Sequence, residues 1–355
     1  MTTPTRAIAM PRLTSQQTAR LLILGLPAGL IITGVIAMFI YFRVDKVRED
    51  REARILTAKA LNAADLQSGV HTLAAAIGPR HSAVPETINS AKKYIQSTLG
   101  PANLGYRVSR VEFQKDGQLW HHLVIDLAGK SAQLRNEVVV VAANYDSATD
   151  SPGADANASG TAALMSLAQA FAGSSQERTL RFVATVRDAP PFAGTEEMGS
   201  LNYAATLRGE GGDEKVAAVV TLEGLGCYSD APGSQKIPPT PSAPYPDKGN
   251  FLAVVANPGA QSIITDGFRA RLIQSTDLPL EIENSSSAGP LLGQGTAWAF
   301  DRAGFPVIRI TDTGELRNPQ WQHAGDKPET LDYPKFLQAV KAAESVITTL
   351  LNPRR

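Results

Sequence analysis

The apolar run Val138-Val139-Val140-Val141-Ala142-Ala143 leads directly into the Gly- and Pro-punctuated segment Asn144 to Gly160, NYDSATDSPGADANASG. Beyond it, Thr161-Ala-Ala-Leu-Met-Ser-Leu-Ala-Gln-Ala-Phe carries apolar residues at helical spacing. A strand with no polar alternation is buried on both faces, as in a parallel sheet. Strand, loop and helix in that order form the unit by which an α/β sheet delivers side chains to the carboxyl ends of its strands. Whatever chemistry the chain performs depends on what that loop can bind.

Similar signals recur on either side. Strands are predicted at Tyr106–Phe113, His122–Leu127, Leu180–Val186, Val216–Leu222, Phe251–Ala256 and Val307–Thr311. Helices are predicted at Ala91–Leu99, Ser159–Phe171, Gly199–Leu207 and Ala260–Gln274, and a last one opens at Pro334, a favoured first-turn residue. Phe336, Leu337, Val340, Ala343, Ile347, Leu350 and Leu351 give that last helix an apolar face. The order βαβαβ predicts an α/β fold with a central, mostly parallel mixed sheet flanked by helices. Between Asp230 and Asn250 stand six prolines, which predicts an irregular surface loop able to rim a pocket. No internal repeat is present.

With 355 residues, 43% of them hydrophobic, the chain can bury a large core. Lys plus Arg and Asp plus Glu are equal at 34 each, and no basic cluster interleaves with aromatics, so nucleic acid is not an expected partner. The single cysteine, Cys227, cannot form an internal disulfide and reads as a small core residue.

Leu21 to Phe42 is uncharged, and its 22 residues at a rise of ~1.5 Å each would extend roughly 33 Å, enough to span a bilayer. It has no polar face, Tyr41 suits an interfacial position, and no small-residue cleavage site follows. The expected organisation is a short tail over 1–20, one transmembrane helix over 21–42, a charged stalk over 43–60 and an α/β domain over 61–355. Arg6, Arg12 and Arg20 precede the span and Arg43, Lys46, Arg48, Arg51 and Arg54 follow it, so basic residues alone do not set its orientation.

Four ordered segments carry a resemblance: AANYDS with SPGADANASG, FAGTEEMGSLNYA from 192, VVTLEGLGCYSDAPGSQ from 219, and ITDTGELRNPQWQHAGDKPETLDY from 310. Together they resemble the family 28 zinc metallopeptidases, dizinc aminopeptidases that share their fold with glutaminyl cyclases. The resemblance covers residues from about 61 to the end. It implies a zinc-exopeptidase fold and two zinc ions about one bridging carboxylate, each ion also held by a histidine and an acid. Such a pair orients the substrate and acidifies the bridging water, whose proton passes to a glutamate.

Carried over residue by residue, the resemblance implies a site that has lost its metal ligands. Asn144 stands where the first histidine belongs, Ala156 where the bridging aspartate belongs, and Gln322 where the last histidine belongs. Glu197 and Glu223 match acid ligands, and Glu196 matches the base. Gly295, Thr296 and Ala297 replace the family's supporting Ser-Asp-His segment. A register shifted by one residue would instead offer Asp155 and His323, giving a rearranged metal set of Asp155, Glu197, Glu223 and His323. Against that shift, Gly153 and Ser159-Gly160 frame the first site without insertion, and Asn318-Pro319 and Asp326-x-Pro328 frame the second.

Plainer roles also fit these residues. Asp146 suits an Asx-type turn, Glu196 and Glu197 suit a helix N-terminus, and His323 suits an exposed loop. Glu223 ends an apolar strand, so burial would raise its pKa unless it is paired. His81, His121 and His122 fall outside the four segments.

The expected function is that of a membrane-anchored, catalytically inactive aminopeptidase homologue. No cofactor is expected, and its pocket would comprise Asn144, Asp146, Asp155, Ala156, Glu197, Glu223, Gln322 and His323, with Glu196 a vestigial base. Glu196, Glu197 and Glu223, converging without metal, would recruit a peptide's ammonium group or another basic group. One alternative is an active zinc-dependent exopeptidase with a rearranged site. Another is an envelope scaffold whose pocket does nothing. The family usually works outside the cytoplasm, which implies an exported carboxy-terminal domain.

Overall fold

The computed structural model describes residues 14–16, 32–39, 57–208, 214–236, 245–284 and 292–353. The chain divides into two compact units, Met1–Arg54 and Ile55–Arg355. In the first, residues 32–39 are helical, and the side chains of Ile32, Val35, Ile36, Met38 and Phe39 are all more than half exposed. Most of the expected membrane span and stalk lies outside the described residues. Among the described residues, no helix is long and apolar enough to cross a membrane.

The second unit is built on an eight-stranded sheet in the order β1-β2-β4-β3-β5-β8-β6-β7. Its strands are β1 Ser109–Lys115, β2 Gln118–Leu127, β3 Glu137–Asn144, β4 Thr179–Thr185, β5 Lys215–Leu222, β6 Leu252–Ala256, β7 Leu280–Asn284 and β8 Val307–Thr311. The central strands β4, β3, β5 and β8 run parallel, β2 and β6 join them antiparallel, and the outer pairs are β1 antiparallel to β2 and β7 parallel to β6. The expected mixed α/β sheet flanked by helices is thus present.

Period-two alternation in β3 supplies both cores. Val139, Val141 and Ala143 enter one apolar cluster, and Val138, Val140 and Ala142 enter the other. Helices α1 Ala63–His71, α2 Pro85–Leu99, α3 Gly160–Ala170, α5 Asp266–Ser275 and α7 Tyr333–Leu351 pack into the first. Helices α4 Gly199–Thr206 and α6 Thr296–Arg302 pack into the second.

Local signals fix the helix starts. Asn62 accepts a hydrogen bond from the Asp65 N–H, Thr265 from Phe268 and Asp332 from Lys335, while Pro85 and Pro334 occupy first-turn positions. Gly160 opens α3 hard against β5, where a β-carbon would collide with the Leu222 carbonyl oxygen. That contact brings the Asn144–Gly160 loop over the ends of the central strands.

Candidate functional site

A solvent-connected cavity of about 110 Å³ lies beyond the carboxyl ends of β4, β3, β5 and β8. A water needs roughly 10–15 Å³ of such space, so it accommodates several waters or the end group of a larger ligand. Asn144 reaches its wall from the end of β3, Ala156 from the following loop, Asp188 from beyond β4, Glu223 from beyond β5, Arg309 from β8 itself and Gln322 from the loop after β8. Tyr245, at the end of the proline-rich segment, also lines it. Residues 237–244 of that segment lie outside the described residues.

The side chain of Asn144 is held on both sides. Its Nδ2 donates to the Asp146 carbonyl at 3.1 Å and to Asp146 Oδ1 at 3.0 Å, while its Oδ1 accepts from Asn157 Nδ2 at 3.0 Å. Asn157 also donates to the Leu222 carbonyl at 2.9 Å and accepts from the N–H groups of Gly160 at 3.2 Å and Gly224 at 3.1 Å. An amide pair thus ties β3, the loop, α3 and the end of β5 into one floor.

Beneath that floor, Asp146 acts across the chain rather than in the Asx-type turn expected of it. Its Oδ2 accepts from the N–H groups of Asp188 and Ala189, both at 2.8 Å. Asp188 in turn accepts from Thr185 Oγ1 at 2.6 Å, Thr296 Oγ1 at 3.3 Å and the Ser200 N–H at 2.8 Å. Burial raises the pKa of Asp146, and burial together with the charge of Asp146 pushes Asp188 up to about 7.

Glu223, only 5% exposed, is satisfied within the protein. Its Oε1 accepts from the Ala297 N–H at 2.6 Å, and its Oε2 lies 3.6 Å from Arg309 Nε. Sequence reasoning missed Arg309, although a lone arginine inside the apolar strand Val307–Thr311 signals that a buried carboxylate must be near.

The expected convergence of three glutamates does not occur. Glu196 is exposed and paired with Arg302 at 3.1 Å, and Glu197 pairs with Lys115 at 3.0 Å and Arg187 at 3.5 Å. Arg187 also packs over the Phe192 ring at 3.6 Å and is itself buried, so Glu197 is fastened toward the β1–β2 hairpin. Neither glutamate lines the cavity. Exposed Arg302 neutralises Glu196, and Lys115 with buried Arg187 neutralises Glu197, each outside the cavity.

Asp155 and His323 are also apart from the cavity wall. Asp155 is fully buried and turned away, accepting from the Gly226 N–H at 3.0 Å and from Asn318 Nδ2 at 3.1 Å. Burial, then the nearby charges of Asp312 and Asp326, raises its pKa well above the usual range. Asp326 accepts from the N–H groups of Asp155 at 2.8 Å and Ala156 at 3.0 Å, and burial moves it up to about 6. His323 is exposed, in a shallower hollow beside the cavity, and its carbonyl accepts from Ser151 Oγ at 3.0 Å. Gln322 faces both spaces, with a left-handed backbone at φ 61°.

A family model for peptidase family M28 matches residues 122–347. The chain belongs to peptidase family M28. It is 32% identical over 298 residues to the uncharacterized protein YfbL of Escherichia coli K12, an alignment covering 81% of this chain and 88% of that protein. Its fold resembles the aminopeptidase LapA of Legionella pneumophila, with a TM-score of 0.58, 14% identity and coverage of 88% of this chain and 75% of that one. It also resembles BSAP, a zinc aminopeptidase from Bacillus subtilis, at TM-score 0.56 and 14% identity over 83% of this chain and 96% of that one. The glutaminyl cyclase of Fimbriiglobus ruber gives 0.53 and 16% identity over 82% and 96%. At these identities the likeness concerns the fold.

The M28 cavity of this chain does not fit a zinc pair. Three of its ligand positions, Asn144, Ala156 and Gln322, offer two amides and a methyl group, and the bridging carboxylate is missing. Of the acid positions, Glu197 is held outside the cavity and Glu223 already has a cation. The one-residue shift does not repair this, because Asp155, Glu197, Glu223 and His323 occupy separate surroundings. Among the described residues, no group of three or more His, Cys, Asp and Glu side chains is placed to hold a metal ion.

Proposed function

We propose that this M28 member is a membrane-anchored, catalytically inactive homologue of the dizinc aminopeptidases. Its cavity binds a peptide or protein partner through a free amino terminus or another basic group. One observation carries the proposal: Asn144, Ala156 and Gln322 line the cavity at the positions where the family motif places metal ligands. Amides and a methyl group neither acidify water nor bind zinc strongly at neutral pH.

Preference for a basic group rests on the lining carboxylates outside the Glu223–Arg309 pair, Glu315 and, above about pH 7, Asp188. Membrane anchoring rests on the uncharged run Leu21–Phe42 and on the exposed apolar side chains of residues 32–39. By family analogy, the carboxy-terminal domain is exported.

The test uses full-length protein purified with zinc present. The expected result is no stoichiometric zinc by elemental analysis, no release of amino-terminal residues from peptides, and a change in tryptophan emission, absent from a Trp321→Phe variant, on titration with amines or amino-terminal peptides. Two equivalents of zinc together with peptide hydrolysis would overturn the proposed inactivity. An unchanged emission with every amine and peptide would remove the binding proposal. Release of the chain from membranes by alkaline carbonate would remove the anchor.

A further inference from the structure

The acid at the end of β5 is the one ligand-position carboxylate still in the cavity, and nothing metallic is needed to keep it there. Glu223 Oε2 lies 3.6 Å from Arg309 Nε, and the two side chains are 6% and 9% exposed. A carboxylate so far from water requires a compensating charge and hydrogen bonds. Arg309 supplies the charge and the Ala297 N–H the hydrogen bond.

The loop before α6 is shaped to admit this pair. A β-carbon on Gly295 would collide with Glu223 Oε2, and one on Gly293 would come within 2.9 Å of Arg309 Nη1. Gly293 also has φ 68°, a conformation that disfavours side chains. Gly295 and Ala297, which replace the family's Ser-Asp-His segment, therefore contribute space and an N–H rather than an acid and an imidazole. The pair, the two glycines and the N–H donor form one arrangement drawn from β5, β8 and the start of α6.

We propose that Arg309 is the cavity's built-in cation: it holds Glu223 as a metal would and excludes a metal from that position. The assignment rests on the reading that the native cavity carries no zinc. A second cation beside Glu223 would meet the guanidinium at short range, where like charges in a partly desolvated site repel strongly. Restoring the lost ligands would then be insufficient to restore metal binding.

Two measurements on the full-length protein test this. In the first, Glu223→Gln, Arg309→Met and the double variant are compared with the parent by urea unfolding. Each single change is expected to lower the midpoint, and the double is expected to lose less than the sum of the two, since removing one partner strands the other. Strictly additive losses would overturn the pairing. In the second, zinc affinity is measured by chelator competition for Asn144→His/Ala156→Asp/Gln322→His with and without Arg309→Met. Removal of Arg309 is expected to tighten zinc binding about tenfold or more, a change that loss of packing alone would not produce.

Equal zinc affinity in the two backgrounds would overturn the exclusion of metal. If the multiple variants do not fold, the unfolding cycle alone decides, and additive losses there reject the assignment. Stoichiometric zinc in the unmutated chain would instead sink the inactivity proposal, an outcome separable from failure of either Arg309 measurement.

Discussion

Asn157 makes four hydrogen bonds from one amide: to Asn144, to the Leu222 carbonyl and from the Gly160 and Gly224 N–H groups. Truncation to alanine would leave several buried polar groups unsatisfied while removing little apolar area. Each such group costs ~1–3 kcal/mol, and partial relaxation brings the expected loss for Asn157→Ala to about 3 kcal/mol in denaturant unfolding. A loss below about 1 kcal/mol would mean that the floor does not depend on this amide. At the same scale, the replaced positions were legible in the sequence because Gly153, Ser159-Gly160 and Asp326 fix the register around them. The pairings were not legible. Neither the capture of Glu197 by Lys115 and Arg187 nor that of Glu223 by Arg309 follows from local spacing, because each joins side chains from separate elements.

At the scale of elements, α7 closes the first core, with Phe336, Val340, Ala343 and Ile347 all buried. Its start depends on Asp332, whose Oδ1 accepts from the Lys335 N–H at 3.0 Å and whose own N–H donates to the Gly226 carbonyl at 2.8 Å. Asp332→Ala removes the side-chain cap and a long, partly exposed ion pair with Lys335 at 3.8 Å, so a loss of about 1 kcal/mol, chiefly from the cap, is expected by thermal or denaturant unfolding. A neutral result would show the start to be fixed by Pro334 and packing instead. The sequence made the central strands and α7 legible through unbroken apolar runs and a first-turn proline. It did not reveal α1, α6 or β7. The segment LEIEN of β7 is short and mixes charge with apolar residues, and α6 spans fewer than two full helical turns, so neither offers a long enough period to read.

Across the whole molecule, buried carboxyls make stability depend on pH. Asp188 is raised to about 7 and Asp326 to about 6, chiefly by burial, and Asp146 and Asp155 move in the same direction. In the unfolded chain each would titrate near the ordinary aspartate value of about 3.9. Between the two values the folded state holds protons that the unfolded state has released. The stabilisation is therefore complete below about pH 4 and is lost as pH rises through 6 and 7, by at most about 1.4 kcal/mol per pH unit for each group. His122 acts oppositely. Burial lowers it from 6.5 to about 3, so its contribution is present above pH 6.5 and is lost as pH falls through that window. Asp188 and Asp326 titrate in or at the edge of the interval from pH 8 to 6, whereas the loss from His122 begins only near its lower end, so the expected melting temperature rises as pH is lowered from 8 to 6. Asp188→Asn should flatten this rise, because the amide keeps an acceptor for the Ser200 N–H without the titration. A melting temperature that falls over the same interval would contradict protonation of the carboxyls beneath the cavity. A slope unchanged by Asp188→Asn would place that titration elsewhere in the domain.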